Sequence, residues 1–209
     1  MNNIEKIVKD NLNLIHRTLS CEGEWTINKI TDVYGNSFDI PMDTKVVSKL
    51  FESQLEPIWT TIAEENDYTI EFSSKQNQYP DVTLTCNKTG DRYAIDEKSS
   101  YKRNDKVING MTLGTYKGYF RDRGSSKNTL YPYNSYKKHF ILGILYDRVD
   151  ERITNIDIFF NEKWRVASRK PGSGNTTNIG SIKKIKDLIE SKNSIFTSKE
   201  EFDNYWINY

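Results

Sequence analysis

Apolar residues recur with two different periods along this chain, and the switch between them divides it into elements. Ile4, Val8, Leu12, Ile15 and Leu19 stand at helical spacing, which predicts an amphipathic first helix over residues 3–19. The segment 21–42 follows, and its YGNS stretch reads as a turn between two short strands. Asp43 is placed to cap a second helix carrying Val46, Val47, Leu50, Phe51, Leu55, Ile58 and Ile62, with Pro57 expected to kink or break it. From Tyr68 the period changes to two. YTIEF, DVTLTC and RYAIDEKS alternate as strands, with NKTG between the last two as a hairpin turn. Residues 102–135 are polar, contain glycine and are rich in Tyr, Lys and Arg, as surface loops are. Residues 140–146 (FILGILY) suit a strand buried on both faces, and 153–160 (ITNIDIFF) a further strand. The glycine-punctuated SRKPGSGNTTNIGS at 168–181 reads as a loop. A basic helix over about 182–190 follows, and then a last helix opened by the capping box SKEE at Ser198. No internal repeat or low-complexity linker interrupts this order, so the pattern predicts one α/β domain over residues 1–209, a central mixed β-sheet flanked by helices.

Composition narrows the class. A chain of 209 residues, 36% hydrophobic and 12% aromatic, can bury a core without disulfides or metals as staples. No apolar run approaches the roughly 20 residues a bilayer needs. The opening MNNIEKIVKDNLNLIH mixes acids among its apolar residues and offers no small-residue cleavage site, so a cytoplasmic protein is expected. Cys21 and Cys86 make no disulfide framework, and with only His16 and His139 they cannot supply paired zinc-ligand spacing. Neither histidine sits beside a Ser or Cys in a nucleophile turn, and each reads as structural. The net charge of +1 hides a segregation: residues 98–186 hold 19 Lys and Arg against 7 Asp and Glu, and the remainder 11 against 22. A basic surface on a near-neutral protein is the footprint of a nucleic-acid binder, although lysine-rich solvated faces give the same count.

The chemistry concentrates in YPDVTLTCNKTGDRYAIDEKS, residues 79–99. With the hairpin centred between Lys88 and Thr89, Asp81 faces Asp96. Opposed Cβ atoms lie about 4.5 to 5.5 Å apart, where two bare carboxylates repel. A divalent cation bridging the pair is the natural compensation. Strand alternation puts Lys98 on the face of Asp96 and Glu97 on the other. Two acids and an ammonium around a cation suit hydrolysis of a phosphodiester, with no histidine required. The same residues also fit an exposed hairpin with a surface ion pair of about 0–1 kcal/mol. A bulge at Gly90 would set Asp81 against Glu97 instead, and paired carboxylates at about 5 to 5.5 Å also serve glycosidases, which need no metal.

The order PD, a gap, then DxK resembles the PD-(D/E)xK nuclease superfamily. Six blocks extend the likeness to a Type II restriction endonuclease family within it: DTKVVSKLFE (43–52), QNQYPDVTL (76–84), AIDEKSSY (94–101), TLGTY (112–116), GSGNTTNIGSI (172–182) and EFDNYWINY (201–209), in the same order. The resemblance implies a restriction-endonuclease-like fold and Mg²⁺-dependent, site-specific hydrolysis of double-stranded DNA, with Mn²⁺ as a substitute ion. By position it implies that Asp81 and Asp96 bind metal, that Lys98 is catalytic, and that Glu52 is a further catalytic and metal-binding acid. It makes 168–181 the DNA-reading loop, in which Gly172, Ser173, Gly174, Asn175, Thr176 and Asn178 enter the major groove. There the two asparagines match adenine and the Thr176 methyl a thymine methyl. From residue types alone this segment is a mobile surface loop. Gln76 and Asn77 are similar to a second loop at the minor groove, while Thr44, Ser99, Ser100, Thr112 and Lys127 fall where the family contacts phosphates.

The family acts as a homodimer on a palindrome, cutting GATATC to blunt ends and bending the flexible central TA step. Residues of about 20–42 and 150–160 are the expected dimerisation elements. A cognate DNA methyltransferase is expected in the host but not as a physical partner, and no membrane is involved. Departures are specific. Glu97 stands where the family has an apolar residue, Gln78 where it has His, Lys75 where it has Gln, and Ser99 and Ser100 where it has Thr. The family enzyme also continues past the position of Tyr209 into a basic segment that grips DNA. Losing that grip leaves a non-cleaving, sequence-specific DNA-binding homologue as the alternative.

Overall fold

A stripe of Val47, Phe51, Leu55, Trp59, Ile62 and Ala63 buries one side of the longest helix against a sheet, and the rest of the architecture is arranged around that contact. The computed structural model describes residues 4–75, 78–116, 118–172 and 178–209, with 115 and 116 described by their backbone alone. Helices α1 (Ile4–Asp10) and α2 (Leu12–Leu19) lead into β1 (Ser20–Cys21) and β2 (Glu24–Trp25), then the hairpin β3 (Lys29–Thr31) and β4 (Ser37–Asp39). The long helix α3 (Thr44–Glu65) follows, then β5 (Tyr68–Phe72), β6 (Val82–Cys86), β7 (Arg92–Asn104), β8 (Val107–Ile108), β9 (Thr112–Tyr116) and the turn α4 (Gly118–Arg121). The remainder comprises β10 (Tyr136–Val149), β11 (Arg152–Glu162), α5 (Lys163–Val166), β12 (Ala167–Pro171), β13 (Asn178–Ser181), α6 (Ile185–Glu190) and α7 (Lys199–Asn208).

The central sheet runs β1-β2-β11-β10-β7-β6-β5, with β8 paired to β7 off this path. The β10–β7 pair is parallel and the other pairs are antiparallel, so the sheet is mixed as expected. Side chains alternate between two cores. Ile95, Phe140, Leu142 and Ile144 face α1–α3, while Ala94, Ile141 and Leu145 face α6, α7 and the tyrosines 79, 119 and 133. A smaller sheet, β12-β13-β9, stands beside the central one.

Several local expectations change. The first helix is divided at Asn11, whose side chain donates to the Ile7 carbonyl at 3.0 Å in competition with the backbone. Helix α3 runs through Pro57 without a break, and its N-cap is Asp43, whose Oδ1 accepts from the amides of Lys45 and Val46 at 2.9 and 3.3 Å. The stretch 102–135 holds β8, β9 and α4 rather than loop alone. The basic helix begins at Ile185, because residues 182–184 spend their backbone groups elsewhere. Ile182 N donates to Val166 O, the Lys183 carbonyl accepts from Ile108 N, and Lys184 bridges Val107. Ser198 caps α7 by accepting from Glu201 N at 3.2 Å, but the Glu201 carboxylate turns to the Thr197 amide and hydroxyl instead of Ser198.

Candidate active site and DNA cleft

The β6–β7 hairpin has the register the sequence indicates: Val82 pairs with Ile95, Thr83 with Ala94, Leu84 with Tyr93 and Thr85 with Arg92, with no bulge at Gly90. Asp81, just before the first pair, therefore arrives beside Asp96. Lys98 Nζ lies 3.0 Å from Asp81 Oδ2 and 3.1 Å from Asp96 Oδ1 and donates to the Glu97 carbonyl at 2.8 Å. The Glu97 amide donates to Asp81 Oδ2 at 2.7 Å. Glu97 projects to the opposite face, where Trp59 Nε1 donates to its Oε1 at 2.7 Å. Asp81 and Lys98 keep 23% and 21% of their side-chain surface open, whereas Asp96 keeps 3%.

Burial is the largest single influence on each of these groups, but it does not always decide the outcome. It pushes Asp96 up to about 7, against the pull of Lys98 and with the push of Asp81. Burial also works against the charge on Asp81, but the Lys98 ammonium and the hydrogen bonds reaching this carboxylate outweigh it and hold it below the usual range. Lys98 is held above the ordinary lysine range because the two carboxylates outweigh its desolvation. Glu97 is raised well above its usual value by burial, against the Trp59 hydrogen bond. Glu52 is raised by burial and then by the charge of Asp81, and it pairs with Lys49 at 3.0 Å.

Asp81, Lys98 and Glu52 line a cleft of ≈ 1450 Å³, and Asp96 lies buried behind them. One wall is a helical stripe of α3: Thr44, Lys45, Ser48, Lys49, Glu52 and Glu56. The other is the base of the reading segment: Thr112, Lys170, Gly172, Gly180, Lys183 and Lys184. Glycine is demanded there, since a Cβ at Gly172 would lie 2.5 Å from Thr112 Cγ2 and one at Gly180 2.9 Å from the Lys170 carbonyl. Gly172 N donates to the Asn178 carbonyl at 2.6 Å, closing the base of the loop, while Ser173, Gly174, Asn175 and Thr176 lie outside the described residues, as do Gln76 and Asn77. Ser99 lines the cleft and shares a 2.7 Å hydrogen bond with Ser48. Ser100 donates to the Gly110 carbonyl at 3.1 Å. Lys127 is exposed and stands apart from the residues of the cleft, where the Lys127 carbonyl accepts from Tyr119 Oη.

Spacing had not singled out Lys45, Lys49, Lys170, Lys183 or Lys184, which face one cleft from opposite walls only once α3 and the smaller sheet are assembled. Gly114 was also missed. At φ +62 its backbone passes so close to Asp96 that a Cβ there would stand 1.9 Å from Oδ2. The histidines are structural: His16 Nε2 donates to the Ile156 carbonyl at 2.9 Å, and His139 is buried among tyrosines. Cys21 and Cys86 are free thiols.

Among the described residues no cluster of three or more His, Cys, Asp and Glu forms a metal site. The residues nonetheless fit a hard cation. Two carboxylates and a carbonyl converge on a single cationic centre, now the Lys98 ammonium, and Asp96 Oδ2 is buried with no hydrogen-bond partner among the described residues. A Mg²⁺-like ion takes oxygen donors of this kind and completes its shell with water and phosphate.

A curled mixed sheet with an acid pair and lysine at the edge of a lysine-lined cleft defines a class, the restriction endonucleases. The fold agrees with that of NlaIV restriction endonuclease, at TM-score 0.57 and 14% identity, over 96% of this chain and 77% of that one. The profile of the family described as restriction endonuclease EcoRV matches residues 21–209, and the chain belongs to that family. It is 38% identical to the Type II restriction enzyme EcoRV of Escherichia coli over 202 residues, 86% of this chain and 80% of the relative. The activity is accordingly that of a Type II restriction endonuclease, a site-specific deoxyribonuclease acting on double-stranded DNA, in a family that generally uses divalent metal ions. Among the described residues no helix is long and apolar enough to cross a membrane.

Proposed function

We propose that this enzyme is a Mg²⁺-dependent homodimer that cuts GATATC to blunt ends, with Asp81, Asp96 and Lys98 at the reaction centre. The observation that carries the reading is the convergence of Lys98 Nζ with both carboxylates, at 3.0 and 3.1 Å, on the wall of a cleft bearing seven lysines. Asp81, Asp96 and the Glu97 carbonyl would hold the cation, with Glu52 on the α3 wall of the same cleft as a further acidic candidate. When bound, such an ion neutralises phosphate charge and lowers the pKa of a water molecule. Lys98 supplies a fixed positive charge beside the scissile phosphate, where negative charge grows as water adds to phosphorus and the P–O ester bond breaks. Lys45, Lys49, Lys170, Lys183 and Lys184 meet phosphates on either side, and Thr44, Ser99, Ser100 and Thr112 supply hydroxyls along the same track.

The expectation of GATATC rests on the reading segment GSGNTTNIGSI, whose glycine and asparagine pattern suits close backbone approach and adenine recognition. The two-fold reading draws support from the β3–β4 hairpin, which exposes Ile30, Val33, Tyr34 and Phe38 together. Digestion of a plasmid of known sequence, with and without Mg²⁺, followed by end mapping, tests the proposal. Blunt cuts at GATATC only with the ion are expected, and Asp81→Ala or Asp96→Ala should abolish them. Cuts elsewhere would overturn the site, and near-normal turnover in either variant the assignment of the carboxylates.

A further inference from the structure

One buried lysine near the site has no part in that scheme. Lys163 opens α5, the turn that joins β11 to β12, and is 1% exposed. Its Nζ donates to Tyr79 Oη at 3.0 Å and lies 4.2 Å from the centroid of the Tyr79 ring. Tyr79 Oη is also 2.7 Å from His139 Nδ1, and the imidazole stacks on Tyr133 at 3.9 Å. The Lys163 N–H donates a hydrogen bond to the phenol oxygen, which leaves the phenol O–H to donate to the imidazole nitrogen. The Tyr79 backbone is held as well: its amide donates to Asn128 O at 2.8 Å, and its carbonyl accepts from Leu130 N at 2.9 Å.

Asp81 follows two residues later, before the first rung of the ladder at Val82 and Ile95. The sheet holds Asp81 through its own carbonyl, which accepts from Ser73 N at 2.9 Å, and through Val82 on its C-terminal side. On the N-terminal side its position depends on Tyr79, through Pro80, whose ring restricts φ. A shift of Tyr79 would carry the Asp81 carboxylate away from Lys98 and from the Glu97 amide. The same α5 turn continues directly into β12, the strand that enters the reading segment. An apolar side chain would fill this buried position at lower desolvation cost, but it could not make a directional bond to the phenol.

We propose that Lys163 is a positioning residue for cleavage: through Tyr79 it holds Asp81 in register with Lys98 and ties that register to the strand carrying the reading loop. The inference rests on the nuclease reading above. Lys163→Met, Tyr79→Phe and the double variant test it, on the duplex site that the wild type cuts. Each single variant should bind that site in EDTA within about threefold of wild type, while single-turnover cleavage at saturating enzyme falls about 10- to 100-fold. The double variant should be no slower than the slower single, because both changes break one connection. Single variants that cleave within about threefold of wild type, losses that multiply in the double variant, or equal losses of binding and cleavage would each overturn the proposal. Should Lys163→Met fail to fold, Tyr79→Phe keeps the ring and its packing, and its cleavage-to-binding ratio decides alone. A wild type that cuts no DNA would sink the nuclease reading itself, whatever the variants do.

Discussion

Two carboxylates share one ammonium in this site, yet one has 23% of its side chain in the cleft and the other 3%. Burial raises Asp96, whereas at Asp81 the Lys98 ammonium and the hydrogen bonds reaching the carboxylate outweigh burial. The confinement of Asp96 involves Gly114, whose bare Cα closes over it. Gly114→Ala introduces both a clash at 1.9 Å and a side chain at φ +62. Cleavage should fall at least about tenfold, with the melting temperature lowered, since the carboxylate must leave its place. Calorimetry and a cleavage time course check this, and a variant indistinguishable from wild type would show that Asp96 is not so confined.

His139 offers a separate test at the same scale. Burial, then the charges of Lys163, Lys199 and Arg123, hold its pKa well below the ordinary value. The unfolded chain takes a proton near pH 6.5 that the folded protein refuses, so this histidine's contribution is present above that pH and lost as pH falls. Asp96 and Glu97, with raised values, act in the opposite sense, so the effect is read as a difference. The stability lost by wild type relative to His139→Gln should grow by about 1.4 kcal/mol per pH unit below about pH 6, in urea melts. Parallel pH profiles for the two proteins would contradict it.

Among elements, α3 and β7 are joined by the buried bond from Trp59 to Glu97. Trp59→Phe leaves Glu97 without its donor and should destabilise by about 1–3 kcal/mol. Glu97→Met in turn leaves the indole N–H unpaired. Combining the two replaces both polar groups by apolar ones, so the double variant should lose less than the sum of the singles in urea denaturation. Additive losses would mean that the pair does not act as a unit. The hairpin around residues 87–90 was legible because its register follows from one turn and one alternation, both local. The extended course of 182–184 was not, since their partners, Val107, Ile108 and Val166, come from other elements.

At the scale of the molecule, the basic surplus of residues 98–186 becomes one side of the cleft, through Lys98, Lys170, Lys183 and Lys184. Lys45, Lys49 and Lys75 come from the acidic remainder of the chain and complete it, so the charge count located only part of the surface. The β3–β4 hairpin leaves Val33 and Tyr34 exposed to 93% and 88%. If it forms the seam between subunits, Val33→Glu with Tyr34→Glu should convert a dimer to monomers in sedimentation, with the monomer fold intact by circular dichroism. A dimer that persists would place the seam elsewhere.

The sequence by itself determined whatever depends on neighbours along the chain: the capped stripe of α3, the register that faces Asp81 with Asp96, the opposite orientations of Lys98 and Glu97, and the glycines of the reading segment. Tertiary structure alone decided what depends on distant segments meeting. It brought Gly114 over Asp96, set Lys163 under Tyr79, buried Glu97 against Trp59 and gathered lysines from distant parts of the chain around one cleft. Periodicity records which way a side chain points, but the burial and charge around it belong to whichever segment folds against it.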